Sequence, residues 1–228
     1  FVLTHSYEPV SIPKPEKIKK FLPTYKPNAG TYLDPKRPIT MGALVAPSDY
    51  LEIRQDMHED LLAAENVWRQ EYRKYFQTVR NREETNNLSK GFTILDDGIT
   101  EYYGPKNPQT IIVTMGSVAG TIKEALKELG ATARVGLLKI KLYRPFPATA
   151  VSKILDKAAT VIVLDKAISL GYCGPLFADV KTAGTSAFAK KNLQNWIAGL
   201  GGRDISVAAV KKIIAASKRR KNNAVYFS

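Results

Sequence analysis

Three short apolar runs, separated by segments of helical pattern, constrain the fold of this chain most strongly. The runs are TIIVTM at Thr110–Met115, ARVGLLKI at 133–140 and TVIVLD at Thr160–Asp165. Continuous apolar runs of this length are typical of strands that are buried on both faces, and the helical segments between them then serve as crossovers. With right-handed crossovers, the pattern predicts a three-layer α/β/α domain with a mostly parallel sheet.

Helices are predicted between and after these strands. They should run to about residue 129, over 147–156, from the turn 169–174 to about 183, and over 206–217 with Ser206 as N-cap. NWIA at 195–198 predicts a fourth, short strand. The α/β domain is therefore expected to occupy residues 92–228.

The first 91 residues do not show this alternation of strands and helices. Eight prolines in residues 1–47 disfavour helix, so this stretch is predicted to be an extended connecting arm whose apolar residues lie against another surface. Residues 48–81 predict one long helix with Ser48 as N-cap and one apolar face suited to ordinary packing. The run 81–87 predicts a loop, so a long helix and loop together fill residues 48–91.

The ligand-forming residues are too few for metal chemistry. The chain has one cysteine, Cys173, and two histidines, His5 and His58. These exclude an internal disulfide, a Cys-ligated iron–sulfur cluster and a structural zinc site within this chain. The sequence shows no signal-peptide pattern and no apolar run long enough to span a bilayer. We therefore expect a cytoplasmic location and no membrane partner.

The net charge of +13 raises the question of an anionic partner. The basic residues are scattered except for the run Lys218, Arg219, Arg220 and Lys221. A solvated basic surface is the favoured interpretation, and a docking surface for an acidic protein is the next. Nucleic acid is disfavoured because the sequence contains no zinc finger, RNA-recognition signature or interleaved aromatic–basic stripe.

The turn after the first predicted strand is a candidate ligand contact. Gly116 lets the chain turn sharply and Ser117 can cap the following helix, at the edge of a parallel sheet where ligands bind. The G-x-G-x-x-G fingerprint and the P-loop are both absent. A structural turn is the favoured interpretation, with a phosphate or cofactor contact as the alternative.

A second candidate is the turn Ser169-Leu170-Gly171-Tyr172-Cys173-Gly174-Pro175. Gly171 and Gly174 permit positive φ or close approach of the backbone, so this turn is predicted to contact either a phosphate or another subunit. Cys173 is predicted to be a small buried hydrophobe rather than a reactive thiol.

Arg144 lies in a rigid segment, Arg144-Pro145-Phe146-Pro147. A fixed guanidinium suits a carboxylate, in this subunit or in the next one. We therefore predict an interface role for Arg144, with a satisfied structural arginine as the alternative. No complete catalytic constellation is found, and no catalytic residue is predicted.

These segments together resemble a known family. VTMGS at 113–117, RVGLLKIKLYRPFP at 134–147 and TVIVLDKAISLGYCGPLFADV at 160–180 resemble the C-terminal domain of the α subunit of pyruvate (2-oxoacid):ferredoxin oxidoreductases. GLGGRDIS at 199–206 resembles the family's last strand-to-helix turn. FVLTHSYEPVSIP at the start resembles the exit from a thiamine diphosphate-binding domain, and FLP and PITMGAL resemble the connecting segment.

The resemblance implies an enzyme that decarboxylates a 2-oxoacid, usually pyruvate, on thiamine diphosphate with magnesium. Electrons would pass through iron–sulfur clusters to ferredoxin, and the acyl group would pass to coenzyme A. The domain present here resembles the transketolase C-terminal domain, which implies support of assembly with the other subunits. By itself the chain is expected to bind no cofactor and to be inactive. A coenzyme A or phosphate-binding module is the alternative.

Overall fold

The computed structural model describes residues 12–27, 33–39, 42, 44–79, 91–184, 191–220 and 224–228. These residues form two compact units, one within 12–79 and one within 91–228. His5 and the predicted loop at 81–87 lie outside the described residues. The domain boundaries predicted at residues 47 and 91 stay predictions.

The first unit is built from two helices, α1 (Pro15–Phe21) and α2 (Pro47–Thr78). The prediction of a wholly extended arm is wrong over α1. No proline falls between Pro15 and Pro23, and Pro15 itself occupies the first turn, where its missing N–H is harmless. Lys19 and Lys20 in the last turn complement the helix dipole.

The long helix α2 was predicted at nearly its observed length, but its start was misassigned. Ala46, not Ser48, is the N-cap, and it makes no side-chain capping hydrogen bond. Pro47 takes the first turn because its ring fixes a helical φ and removes an N–H that would have no partner there.

The second unit is a layered α/β domain. Among the described residues, seven strands form one sheet in the order β1-β2-β4-β3-β5-β6-β7. Strands β1 and β2 form an antiparallel pair, β2 runs antiparallel to β4, and the pairs beyond β4 are parallel. The strands are β1 (Thr93–Asp96), β2 (Thr100–Gly104), β3 (Thr110–Met115), β4 (Val135–Ile140), β5 (Thr160–Asp165), β6 (Asn192–Ile197) and β7 (Val225–Phe227).

Four helices cover the two faces of the sheet, which confirms the predicted three-layer α/β/α fold. They are α3 (Val118–Leu129), α4 (Ala148–Leu155), α5 (Pro175–Ala183) and α6 (Val207–Ser217). α3 and α6 pack on one face, and α4 and α5 pack on the other. Ser206 is the N-cap of α6 as predicted, since its side chain accepts a hydrogen bond from Ala209 N at 3.2 Å.

Neighbouring residues of each central strand enter opposite cores. In β3, Ile112 packs under α3 and α6, whereas Ile111 and Val113 pack under α4 and α5. In β5, Ile162 and Val163 divide in the same way. Full burial of a side chain of this size stabilises the fold by about 1.5–3 kcal/mol. The continuous apolar runs therefore reflect two cores that share one sheet.

The sequence missed three strands and shifted two others. β1, β2 and β7 were not predicted; β1 and β7 are partly exposed, and β7 has only three residues. β4 begins at Val135 rather than 133, because a 3₁₀ turn at Ala131–Ala133 precedes it and Arg134 adopts a left-handed φ of 55°. β6 covers 192–197 rather than 195–198.

Candidate functional site

The carboxyl ends of β3 and β5 define the candidate site. These strands are neighbours and run parallel, with Val113 opposite Val163. The chain leaves β3 for α3 on one face of the sheet and leaves β5 for α5 on the other. Such a divergence of connections opens a crevice, and ligands of open α/β sheets bind in crevices of this kind.

The β3 side of the crevice is open. Gly116 is exposed and has a φ of +75°, and a Cβ added there would meet nothing within 4 Å. Ser117 is the N-cap of α3, but its side chain makes no capping hydrogen bond, contrary to the role predicted for it. Below the turn, the buried hydroxyl of Thr114 donates to Leu164 O at 3.2 Å and ties β3 to β5.

The β5 side of the crevice is filled by a buried carboxylate. Asp165 Oδ1 accepts a hydrogen bond from Leu176 N at 2.9 Å, and its Oδ2 accepts one from Phe177 N at 3.2 Å. Asn195 Nδ2 donates to the same Oδ2 at 2.9 Å. The N-terminus of α5 therefore holds an anion that belongs to the protein itself.

Burial raises the pKa of the Asp165 carboxyl above its ordinary value, and the charge of Asp179 adds to the rise. The backbone hydrogen bonds from α5 and the hydrogen bond from Asn195 act in the opposite direction, because they favour the charged form. Burial and the three hydrogen-bond donors thus shift the pKa of Asp165 in opposite directions.

Gly174 has a structural task in this arrangement. Its N–H donates to Asn195 Oδ1 at 2.7 Å, and a Cβ added at Gly174 would lie 2.1 Å from Asp165 Oδ2. The residue must therefore be glycine for the carboxylate to reach α5. Its backbone donor is occupied, and a phosphate contact at Gly174 stays a prediction.

The turn before α5 is rigid and presents apolar side chains to solvent. Ser169 N donates to Cys173 O at 3.0 Å, and Tyr172 N donates to Ser169 O at 2.9 Å. Gly171 at its tip has a φ of +79°. Leu170 and Tyr172 are 90% and 69% exposed, so the tip suits contact with another surface better than it suits a buried ligand.

Cys173 lies on the inner side of the same turn. It is buried in the core under α4 and α5, as the sequence predicted. Burial raises the pKa of its thiol, and the Asp165 charge raises it further. The thiol is thus kept in its neutral, weakly nucleophilic form.

Arg144 finds its carboxylate within this chain. Its Nη2 contacts Asp179 Oδ1 at 3.2 Å and Oδ2 at 3.0 Å, and the guanidinium lies 4.1 Å from the centre of the Tyr143 ring. The Tyr143 hydroxyl donates to the same carboxylate. About half of the Arg144 side chain remains exposed, and its interface role stays a prediction.

Sequence reasoning missed the polar residues that organise the site, namely Asp165, Asn195 and Asp179. One signal was present: an Asp that ends an apolar strand ten residues before Pro175 lies where it can reach the N-terminus of the next helix. No comparable pattern marks Asn195, which reaches the site only because β6 pairs with β5.

Three clefts lie elsewhere on the domain. One of about 470 Å³ lies at the amino ends of the strands, between α3 and α6, and is lined by Gln109, Thr160, Lys211 and Lys218. Others of about 700 and 300 Å³ lie beside the end of α6 and beside β7. None of the predicted site residues lines these three clefts.

The described part of the chain gathers no cluster of metal-ligating side chains. No group of three or more His, Cys, Asp or Glu side chains comes together there. Within the same residues, no helix is both long and apolar enough to cross a membrane. The magnesium of a thiamine diphosphate site would therefore need ligands from other residues.

Two family sequence models match the chain. Residues 109–210 match the pyruvate:ferredoxin oxidoreductase core domain II. Residues 1–74 match the thiamine diphosphate-binding domain of pyruvate flavodoxin/ferredoxin oxidoreductases. The second match passes residue 47, where the connecting arm was predicted to end, and extends into α2. The fold and these matches define an α/β core domain of an oxidoreductase subunit joined to a thiamine-domain segment.

Curated relatives agree with this class. The chain is 39% identical to pyruvate synthase subunit PorA of Methanocaldococcus jannaschii over 94% of its own length and 51% of the relative's. It is 33% identical to PorA of Pyrococcus abyssi, covering 96% and 52%. The ketoisovalerate oxidoreductase subunit VorA of the same organism is 33% identical, again covering 96% and 52%. The chain spans about half the length of these relatives.

The chain is therefore a PorA-like α-subunit region of the pyruvate:ferredoxin oxidoreductase family. Among solved structures, it is similar to a 2-oxoglutarate:ferredoxin oxidoreductase from Magnetococcus marinus, with 21% identity and a TM-score of 0.41 over 65% of this chain and 22% of that one. That similarity is too weak to define a shared fold.

Proposed function

We propose that this chain works within a pyruvate:ferredoxin oxidoreductase, where it supports assembly and carries no complete catalytic site. The whole enzyme would decarboxylate pyruvate oxidatively, reduce ferredoxin and form acetyl-coenzyme A in the cytoplasm. The observation that carries the proposal is the pair of family matches on one chain, a thiamine-domain segment followed by core domain II.

Pyruvate is favoured as the substrate by the relatives. The PorA subunit of M. jannaschii is 39% identical, whereas the VorA subunit of P. abyssi is 33% identical. The margin is small, because PorA of P. abyssi is also 33% identical. A branched 2-oxoacid is therefore the second substrate to test.

The cofactors of the proposed reaction would be held mainly by residues outside the described α/β domain. Thiamine diphosphate, when bound, supplies the electron sink for decarboxylation. The described residues gather no metal-ligand cluster, and the single cysteine is buried. What this domain contributes is a rigid edge: Asp165 and Asn195 fix the turn that carries Leu170 and Tyr172 outward.

The proposal is tested on the complex that contains this chain, purified from its source. We expect mass spectrometry to find the other oxidoreductase subunits with it. Reduction of ferredoxin or a viologen dye should require pyruvate, coenzyme A and thiamine diphosphate together. Turnover by this chain alone would contradict the supporting role. A complex that uses only 2-ketoisovalerate would contradict the substrate.

A coenzyme A contact is the second candidate, and it rests on the open β3 side of the crevice. Gly116 and Ser117 precede α3, they are exposed, and no side chain caps the helix there. Gly171 belongs to the adjacent turn, and Gly174 has its N–H occupied by Asn195.

Calorimetry with coenzyme A tests this candidate on the purified complex. A Gly116→Ala, Ser117→Ala double variant should lose the binding heat if the contact exists, whereas a Gly171→Ala variant should retain most of it. Equal heats in the parent complex and the double variant would remove the candidate.

A further inference from the structure

The first half of α2 presents an apolar stripe to solvent. Its members recur at spacings of three and four residues, so they lie along one side of the helix. Five of them are 40–55% exposed. We call this surface the α2 stripe, and it consists of Tyr50, Ile53, Met57, Leu61, Ala64 and Trp68. A contiguous apolar surface of this length marks a contact site.

The same side of α2 is already used for packing further along the helix. Phe21 of α1 packs edge-on against Tyr75, with ring centroids 5.4 Å apart. Lys17 Nζ donates to Val79 O at 3.4 Å near the end of α2. The helix α1 has seven residues, and both of these contacts lie in the last turns of α2. The α2 stripe lies on the same side of the helix, nearer its start.

The α/β domain of this chain has no matching apolar face among its described residues. Both faces of its sheet are covered by its own helices. Its large exposed apolar side chains occur singly or in pairs, one pair in the turn before α5 and one, Leu200 with Phe227, at the cleft beside β7. They are Leu95, Leu170, Tyr172, Leu200 and Phe227.

A second copy of α2 is an unsuitable partner for electrostatic reasons. Between residues 47 and 65 the helix carries one arginine and six carboxylates, at Asp49, Glu52, Asp56, Glu59, Asp60 and Glu65. Pairing the stripe with itself would bring two strongly acidic flanks together, which is destabilising. The partner should instead place basic groups around an apolar groove.

The family match indicates which partner this is. The match to the thiamine diphosphate-binding family ends at residue 74, so most of α2 lies within the matched segment. The relatives have about as much sequence again beyond the matched part. We propose that the α2 stripe docks into an apolar, basic-rimmed groove on the body of a thiamine diphosphate-binding domain. This inference rests on the proposed function.

The test places the photoreactive amino acid p-benzoylphenylalanine at Leu61 in the complete oxidoreductase assembled in cells. The control places it at Asn66, which helical periodicity puts on the opposite side of α2. Illumination should join position 61, and not position 66, to a peptide of the thiamine-binding domain outside residues 1–228. A cross-link from 61 to residues 1–46 or 79–228, a cross-link to an isotope-labelled second copy, or no cross-link above the control would each overturn the proposal.

A matched pair of charge variants gives a second readout. Leu61→Asp should speed amide exchange across residues 50–68 of the assembled complex by about tenfold or more, because a carboxylate cannot enter an apolar groove without cost. Asn66→Asp adds the same charge on the other side and should leave exchange unchanged. Equal exchange in the two variants would overturn the docking. Pyruvate-dependent dye reduction by the parent complex is measured separately, so failure of the proposed function is distinguishable from failure of the docking.

Discussion

The α/β domain and the helical unit bury their apolar side chains to very different extents. In the α/β domain, two cores share one sheet, and Leu137, Ile162 and Val163 are at most 1% exposed. In the helical unit, Val79 is the only buried large apolar residue among those described. The α/β domain therefore contains its own stabilising contacts, whereas the described residues of the helical unit leave much of their apolar surface exposed.

The difference concerns the source of helix stability. Isolated helices are marginal in water unless an apolar face is packed. Each helix of the α/β domain has such a face against the sheet, whereas the first half of α2 shows local pairs among the described residues, such as Gln55 Nε2 with Glu59 Oε1 at 2.8 Å. Pairs of that kind contribute about 0.2–0.5 kcal/mol each.

The largest expected effect compares two identical substitutions. Leu137→Ala removes a fully buried side chain from β4 and should lower the free energy of unfolding by about 2–5 kcal/mol, from lost burial and the cavity left behind. Leu61→Ala removes a side chain that is 45% exposed and should change it by less than about 0.5 kcal/mol. Urea unfolding of the chain alone measures both, and similar losses would show that the two units do not differ as described.

Two glycine substitutions test how tightly the chain packs at the carboxyl edge of the sheet. Gly174→Ala drives a methyl group against the Asp165 carboxylate and should cost about 1–3 kcal/mol. Gly116→Ala meets open space, so only its positive φ opposes the change, at about 1–2 kcal/mol. Thermal unfolding shows which variant loses more stability. A smaller loss for Gly174→Ala than for Gly116→Ala would argue against the buried carboxylate network.

Asp165 is expected to stabilise the domain through hydrogen bonds more than through charge. Asp165→Asn removes an acceptor from one of three donors and should cost about 1–3 kcal/mol. Asn195→Asp would place a second carboxyl beside Asp165 and should destabilise further. Chemical denaturation at neutral pH checks both, and an Asp165→Asn variant as stable as the parent would contradict this.

Asp165 should also make the stability of the domain depend on pH. Because burial raises the pKa of Asp165 in the folded state, the folded protein binds the proton more tightly than the unfolded chain does. The part of its contribution that depends on protonation is then fully present below the unfolded pKa of about 4 and is lost as pH rises through the folded pKa. The stability of the parent relative to Asp165→Asn should fall across that interval in paired unfolding curves, and a flat difference would contradict the raised pKa.

The smallest expected effect is at Arg144. Its ion pair with Asp179 is half exposed, so Arg144→Ala should cost the isolated chain no more than about 1 kcal/mol. If Arg144 also has the interface role predicted from its rigid segment, the same variant should weaken assembly of the complex. Native mass spectrometry of the complex measures that, and unchanged assembly would leave Arg144 with a local structural role only.

The sequence was sufficient to predict the central strands of the sheet, but not the strands at its edges. Strands β3, β4 and β5 were predictable because burial on both faces leaves a continuous apolar run. β1 and β7 lie at the edges of the sheet, where partial exposure removes that signal. Helix α1 is not predicted from the sequence because prolines are frequent across the whole arm, although Pro15 at a first turn favours a helix.

The sequence was sufficient to predict where the candidate site lies, but not which polar side chains form it. The glycines at 116, 171 and 174 marked turns at the carboxyl edge, since a positive φ or a close approach leaves a glycine in the sequence. The carboxylate beneath them depends on Asn195, which joins Asp165 only through strand pairing thirty residues later. Contacts of that range leave no local pattern in a single sequence.

The anion at the start of α5 has a consequence for how the domain responds to its surroundings. Many parallel-sheet domains gain stability when a phosphate binds at a helix start, so their melting temperature follows the ligand concentration. Here the Asp165 carboxylate is covalently part of the chain, and its effective concentration is constant. The stability of this half of the domain should therefore be independent of metabolite levels.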